Sequence, residues 1–160
     1  MGRQETEGSI TSPRRSKETP PPKLEPVVPQ HPTAEQAALG CLLDKADLSI
    51  PLTEAHFFTP ANRIVFSVIK DLHEKNQPVN IMTVRVMLEA KGLLEQAGGD
   101  PSRYFDFGWG GNAVLDYYYH HLEDTRRNRD ALLFINQHME DLSKCRINAK
   151  DFVAQLQEIV

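Results

Sequence analysis

The chain is 160 residues long, 40% apolar and 25% charged, the composition of one ordinary globular domain with enough apolar material for a single core. It has no apolar stretch near the roughly 18 to 20 residues of a membrane span, and its polar start, MGRQETEGSITSPRRSKE, lacks the apolar segment of a secretory signal. The net charge of −4 is unevenly placed: residues 1–30 hold five Lys or Arg and four acids, so 13 basic and 18 acidic residues remain in 31–160. A folded part with that acidic excess is a poor match for a phosphate backbone, which Lys and Arg hold by displacing counterions. Protein partners are expected, and direct nucleic-acid binding is not. Cys41 and Cys145 are isolated, which argues against a disulfide framework and for a reducing cytoplasm.

In chain order, residues 1–30 read as a disordered leader. Pro13, Pro20-Pro21-Pro22, Pro26 and Pro29 fall among Ser, Thr, Glu, Lys and Arg, and too few large apolar residues remain to offset ordering entropy. Thr33-Ala34-Glu35-Gln36 then forms a capping box, with a helix to about Leu43. Pro51 interrupts the connection to Phe57-Phe58. Thr59-Pro60 supplies a capping hydroxyl and a proline at the first helical position, and Ala61, Val65, Val68, Ile69 and Leu72 form one buried stripe. Asn76-Gln77-Pro78 ends that helix, and Asn80 caps another whose Ile81, Val84 and Leu88 share a face. Gly92 and Gly98-Gly99 close this helix and the short segment after it. Asp100-Pro101 caps a short turn burying Tyr104 or Phe105, and Asn112 caps a helix carrying Val114, Leu115, Tyr118 and Leu122. No strand pattern competes, so the fold class is all-α.

Leu132, Ile135, Met139 and Leu142 recur at near-heptad spacing, and Asn148 caps a last helix with Phe152, Leu156 and Ile159 on one face. These two helices, about Asp130 to Lys144 and Ala149 to Val160, form an antiparallel hairpin because the joint between them is short. A lone hairpin leaves one apolar stripe uncovered, so the stripe either folds back on the preceding bundle or packs on another chain. The expected organisation is a leader over 1–30, a helical head over 31–128 and a hairpin over 129–160.

One series of residues has more specific content. Ala34-Glu35-Gln36-Ala37-Ala38-Leu39-Gly40-Cys41-Leu42-Leu43 is followed by Phe57-Phe58, by Arg63-x-Val65-Phe66, by Gln77-Pro78-Val79-Asn80 with Thr83-Val84, and by Gly92-Leu93-Leu94-Glu95 closing at Gly98-Gly99. In order and spacing this series resembles the N-terminal domain of the DnaB-type replicative DNA helicases. The resemblance implies a non-catalytic oligomerisation and partner-docking domain acting in DNA replication within a primosome. It implies homo-oligomers, from a dimer to a ring-type assembly, with primase as partner and a helicase motor domain in cis. It also implies that the hairpin stripe packs on another chain. The alternative is a small helical adaptor or loader-like protein that binds a helicase or primase.

Chemistry is sparse in this sequence. A helicase motor needs a phosphate cradle of the form G-x-x-x-x-G-K-[ST], and the chain contains no Gly-Lys dipeptide, so it is not expected to be an enzyme or to hold a cofactor. His120 and His121 diverge by about 100° on a helix and do not suggest a metal site. The rings of Tyr117-Tyr118-Tyr119 diverge too, which favours burial of one or two over base stacking. Arg126, Arg127 and Arg129 form the densest basic cluster of the folded part, either a solvated face or a seam to an acidic neighbour. Phe107-Gly108-Trp109-Gly110-Gly111 departs from the family, where this connection carries a longer helical stretch and a Pro-Ser pair. Trp109 either plugs the core of the head or anchors a partner. The interface candidates are thus Leu132, Ile135, Met139, Leu142, Phe152, Leu156, Ile159 and Trp109.

Overall fold

The computed structural model describes residues 27–45, 48–108 and 110–159. The expected leader therefore falls almost wholly outside the described residues, and so does Trp109. Among the described residues five helices, α1 (Pro32–Lys45), α2 (Pro60–Glu74), α3 (Ile81–Ala90), α4 (Gly111–Ser143) and α5 (Ala149–Ile159), are joined by irregular chain with 3-10 turns at Glu54–His56 and Pro101–Tyr104. No strand occurs among the described residues, in keeping with the all-α expectation.

The head is built around α1. Ala34, Ala37, Ala38, Leu39, Cys41, Leu42 and Leu43 are all buried, and a helix apolar on most of its circumference has to be enclosed. It packs on α4, on α2 and on the turn at Pro101–Tyr104. Small residues allow that turn to come close. A Cβ added to Gly40 would lie 2.4 Å from the Tyr104 carbonyl oxygen, and one added to Gly108 would lie 2.2 Å from the Cys41 nitrogen. Close approach of two backbones, for which only glycine leaves room, is what the Gly-rich segment provides. The α2 stripe is as expected, with Val65, Val68, Ile69 and Leu72 buried, and Phe66 joins them by stacking on Phe57 at a centroid distance of 4.8 Å.

The helix ends correct several expectations. Thr33 does not cap α1: the helix begins at Pro32, and the His31 ring Nδ1 accepts the Ala34 N–H at 3.2 Å. Thr59 precedes α2 as expected, with Pro60 first in the helix, but its hydroxyl makes no capping bond. The buried Glu35 carboxylate accepts the Phe58 and Thr59 N–H groups instead, at 2.8 and 3.2 Å. Asn80 does cap α3, accepting from Met82 and Thr83 at 3.0 Å each while Thr83 Oγ1 accepts from the Asn80 N–H. Asp100 accepts from the Ser102 N–H at 2.8 Å, and it is Tyr104, not Phe105, that the turn buries. Asn112 lies inside α4 rather than capping it. The cap is Gly110, at φ 124°, a backbone angle that disfavours asparagine and most other residues.

The largest correction concerns α4, which runs unbroken for 33 residues. The helix expected from Asn112 and the one expected from Asp130 are a single element, so the boundary placed at 128/129 falls inside a helix. Its first half packs in the head and its second half extends from it as one arm of the hairpin. Cys145 takes the left-handed conformation at φ 52°, the Arg146 N–H closes on the Asp141 carbonyl at 2.8 Å, and Asn148 accepts from the Asp151 N–H at 2.9 Å to open α5. The expected reversal and its cap are therefore both present.

Candidate interaction surface

The hairpin has an interior of its own but a thin one. Phe134 stacks on Phe152 at 5.3 Å, with the His138 ring 4.1 Å from Phe134. No residue of α5 is buried, and α5 packs on the distal half of α4. The structure brings Leu132, Ile135, Leu142, Phe152, Leu156 and Ile159 into this arm, every one only half-buried, while Met139 remains 59% exposed. Leu133 and Val153, which sequence reasoning left out, are exposed by about half on the same two helices, 48% and 49%. An arm whose apolar side chains are all left partly in water is an incomplete core.

Where the arm leaves the head, two polar clusters hold it. In the first, Glu123 accepts from four groups: Arg126 grips it through Nε and Nη2 at 2.9 and 2.8 Å, Arg127 Nε donates at 2.9 Å, and His56 Nε2 donates at 2.8 Å. His56 is buried and its Nδ1 accepts the Thr53 N–H at 3.0 Å, which fixes the remaining proton on Nε2 in the neutral ring. The Arg126 bonds above all hold the Glu123 carboxyl down at about 2, while burial pushes the His56 imidazole below its ordinary value. Arg126 also binds Asp130 at 2.7 Å. In the second cluster Arg129 is 8% exposed, donates to the carbonyls of Pro29 and Ala55 and lies over the Phe58 ring at 5.6 Å. Within the basic run Arg126 and Arg127 clamp a carboxylate of their own helix, Arg127 staying about half exposed to solvent, and Arg129 closes the end of the head.

A buried polar chain ties the head together behind this junction. Besides its two backbone bonds, Glu35 accepts from Asn62 Nδ2 at 2.8 Å. Asn62 Oδ1 accepts from the Tyr104 hydroxyl at 2.7 Å, and Arg103 reaches that hydroxyl at 2.5 Å and the Ala97 and Gly98 carbonyls at 2.5 and 2.6 Å. Glu35 lies four residues before Leu39 and seven before Leu42, so its place on a buried stripe could have been read from the same periodicity that identifies the core.

A second apolar surface lies on α2 and α3. A groove of about 460 Å³ between the end of α2 and α3 is floored by Leu72, Pro78 and Met87, with Met82 and Val86 exposed on its wall. Sequence reasoning missed it, because Met82 and Val86 fall between the positions of the α3 stripe. His120 and His121 do not converge on a ligand set, and no group of three or more His, Cys, Asp or Glu suited to a metal ion occurs among the described residues. Tyr118 and Tyr119 pack against the core and Tyr117 is exposed. Among the described residues no helix is long and apolar enough to cross a membrane.

Residues 27–102 match the family model of the DnaB-like helicase N-terminal domain. Over 77 residues the chain is 39% identical to the replicative DNA helicase DnaB of Mycobacterium leprae, an alignment spanning 46% of this chain and 13% of that protein. The fold is similar to a crystal structure of the N-terminal domain of DnaB helicase from Mycobacterium tuberculosis, with a TM-score of 0.69 at 24% identity over 83% of this chain and 98% of that one. It is also similar to a structure described as a DnaB-like replicative helicase and its interactions with primase, with a TM-score of 0.66 at 22% identity, covering 81% of this chain and 32% of that one.

Proposed function

We propose, from its match over residues 27–102 to the DnaB-like helicase N-terminal domain family, that this chain is the non-catalytic assembly and docking part of a replicative DNA helicase. It joins copies of itself through the hairpin and presents the assembled surface to primase, in the cytoplasm. The observation that carries the reading is the half-exposed apolar arm formed by the distal half of α4 and by α5. Burying an apolar side chain of this size is worth roughly 1.5–3 kcal/mol. Leu132, Ile135, Leu142, Phe152, Leu156 and Ile159 are already partly buried, so each gains a fraction of that increment when a second arm covers it, and the more exposed Leu133, Met139 and Val153 gain more.

The docking half of the reading is supported by the fold shared with a helicase described together with primase. Sedimentation velocity on the full chain mixed with purified primase tests it. A joint species that sediments faster than either component is expected, and separate sedimentation at high micromolar concentration would rule primase out as the partner. With no Gly-Lys dipeptide to build a phosphate loop, the chain is also expected to bind no ATP. A nucleotide-dependent rise in its melting temperature would overturn that.

A further inference from the structure

A cavity of about 300 Å³ opens at the base of the arm, lined by Glu54, Ala55, Arg63, Arg129 and Asp130. Among the described residues, both guanidinium groups on its wall bond only to backbone carbonyls. Arg63 donates Nε and Nη2 to the Phe57 oxygen at 3.3 and 3.0 Å. Arg129 donates Nη1 to the Pro29 oxygen at 3.3 Å and Nη2 to that of Ala55. A guanidinium carries five N–H donors, so each arginine keeps three for a further acceptor. Arg126 and Arg127 take Glu123, and Arg126 takes one oxygen of Asp130, while Glu54 on the cavity wall makes no ion pair among the described residues. Arg129 is more than nine-tenths buried with no carboxylate bonded to it among the described residues, and burial holds its basicity below the ordinary value although the charges of Asp130 and Glu35 oppose that fall. A buried guanidinium with N–H donors to spare is a group that a further acceptor stabilises.

We propose that this cavity receives a single carboxylate of a partner protein, held between Arg63 and Arg129; this rests on the docking reading above. The planar fork of a guanidinium matches a carboxylate oxygen pair. Glu54 and Asp130 on the same wall repel a phosphate dianion more strongly than a monoanion, and the acidic excess of the folded part opposes polyanions in general. The site therefore suits an Asp or Glu side chain of a docked protein.

The test monitors the amide of Ala55 and the Nε–H groups of Arg63 and Arg129 by NMR in the full chain, titrated with the capped tripeptide Ac-Gly-Glu-Gly-NH2, with its Gln counterpart and with inorganic phosphate. Saturable shifts are expected with the Glu peptide alone. In Arg63→Gln, an exposed position whose variant keeps its dispersed spectrum, affinity is expected to fall roughly tenfold, the loss of one charge-assisted pair. Glu54→Gln tightens binding several-fold. Shifts shared by the Gln peptide, tighter binding of phosphate, unchanged affinity in Arg63→Gln, or no saturable shift at millimolar peptide would each overturn the proposal. Primase separates the two readings. If it binds wild type and Arg63→Gln equally, the cavity proposal falls and docking stands; if it binds neither while the peptide still binds, docking falls and the cavity remains.

Discussion

At the level of single residues, Gly108 and His56 set sharp expectations. The Gly40 and Gly108 backbones touch, and a methyl group at residue 108 would come within 2.2 Å of main-chain atoms that cannot rotate away. Gly108→Ala is thus expected to destabilise the head by about 3 kcal/mol or more, the upper range for overpacking, measured as a lowered urea midpoint. A loss below about 1 kcal/mol would mean that the turn can back away from α1. His56 and Glu123 give the stability a pH dependence with a definite sign. Unfolded His56 takes a proton near 6.5 and the folded, buried ring only at lower pH, so its contribution is complete above 6.5 and is lost as pH falls through the folded value. Glu123 drops from 4.5 to about 2 on folding, so its contribution, about 3 kcal/mol in linkage terms, holds above 4.5 and disappears as pH falls towards about 2. Denaturation midpoints are therefore expected to fall from pH about 7 to about 5, and His56→Gln is expected to flatten that interval alone. An unchanged slope in the variant would place the titrating group elsewhere.

The elements were legible in the sequence to the extent that apolar period and local punctuation decide them. Pro60 at the head of α2, Asn80 capping α3 and Asn148 capping α5 act through neighbours two to four residues away, so their roles are visible in the string. Long-range partners are not. Glu35 binds the Phe58 and Thr59 N–H groups just before α2 from 23 and 24 residues away, and the Gly40–Gly108 contact depends on a packing that neither segment announces. The division of α4 failed for a related reason. Leu115, Leu122 and Arg129 occupy one line at seven-residue spacing, and because the third is an arginine, the apolar stripe stops there while the helix continues. What looked like a break between two helices is the point where one helix changes partners. This division of labour implies that the head does not depend on α5, none of whose residues is buried. A chain ending at Lys144 is expected to keep the midpoint of the head to within about 4 °C, a shift equivalent to roughly 1 kcal/mol in a domain of this size. A larger fall, read by circular dichroism on heating, would show that α5 braces the head.

For the whole molecule, head and arm treat their apolar side chains in opposite ways. The head encloses Leu39, Leu42, Phe57, Phe66, Ile69, Leu88 and Tyr104 completely, whereas the arm encloses nothing completely. Folding alone satisfies the first, and association is the natural completion of the second, since the apolar surface left open along the arm is worth roughly a few kcal/mol, a sizeable part of the margin that keeps a domain folded. Even-numbered assembly results if two arms pair across a two-fold axis, because such a contact satisfies both stripes at once. Light scattering across a concentration series, on the wild type and on Ile135→Asp and Leu156→Asp, tests this most directly. The expected result is a dimer or larger even-numbered oligomer that each variant dissociates while the head stays helical, because a carboxylate in that seam has no partner. A wild-type chain that remains monomeric at high micromolar concentration would contradict it.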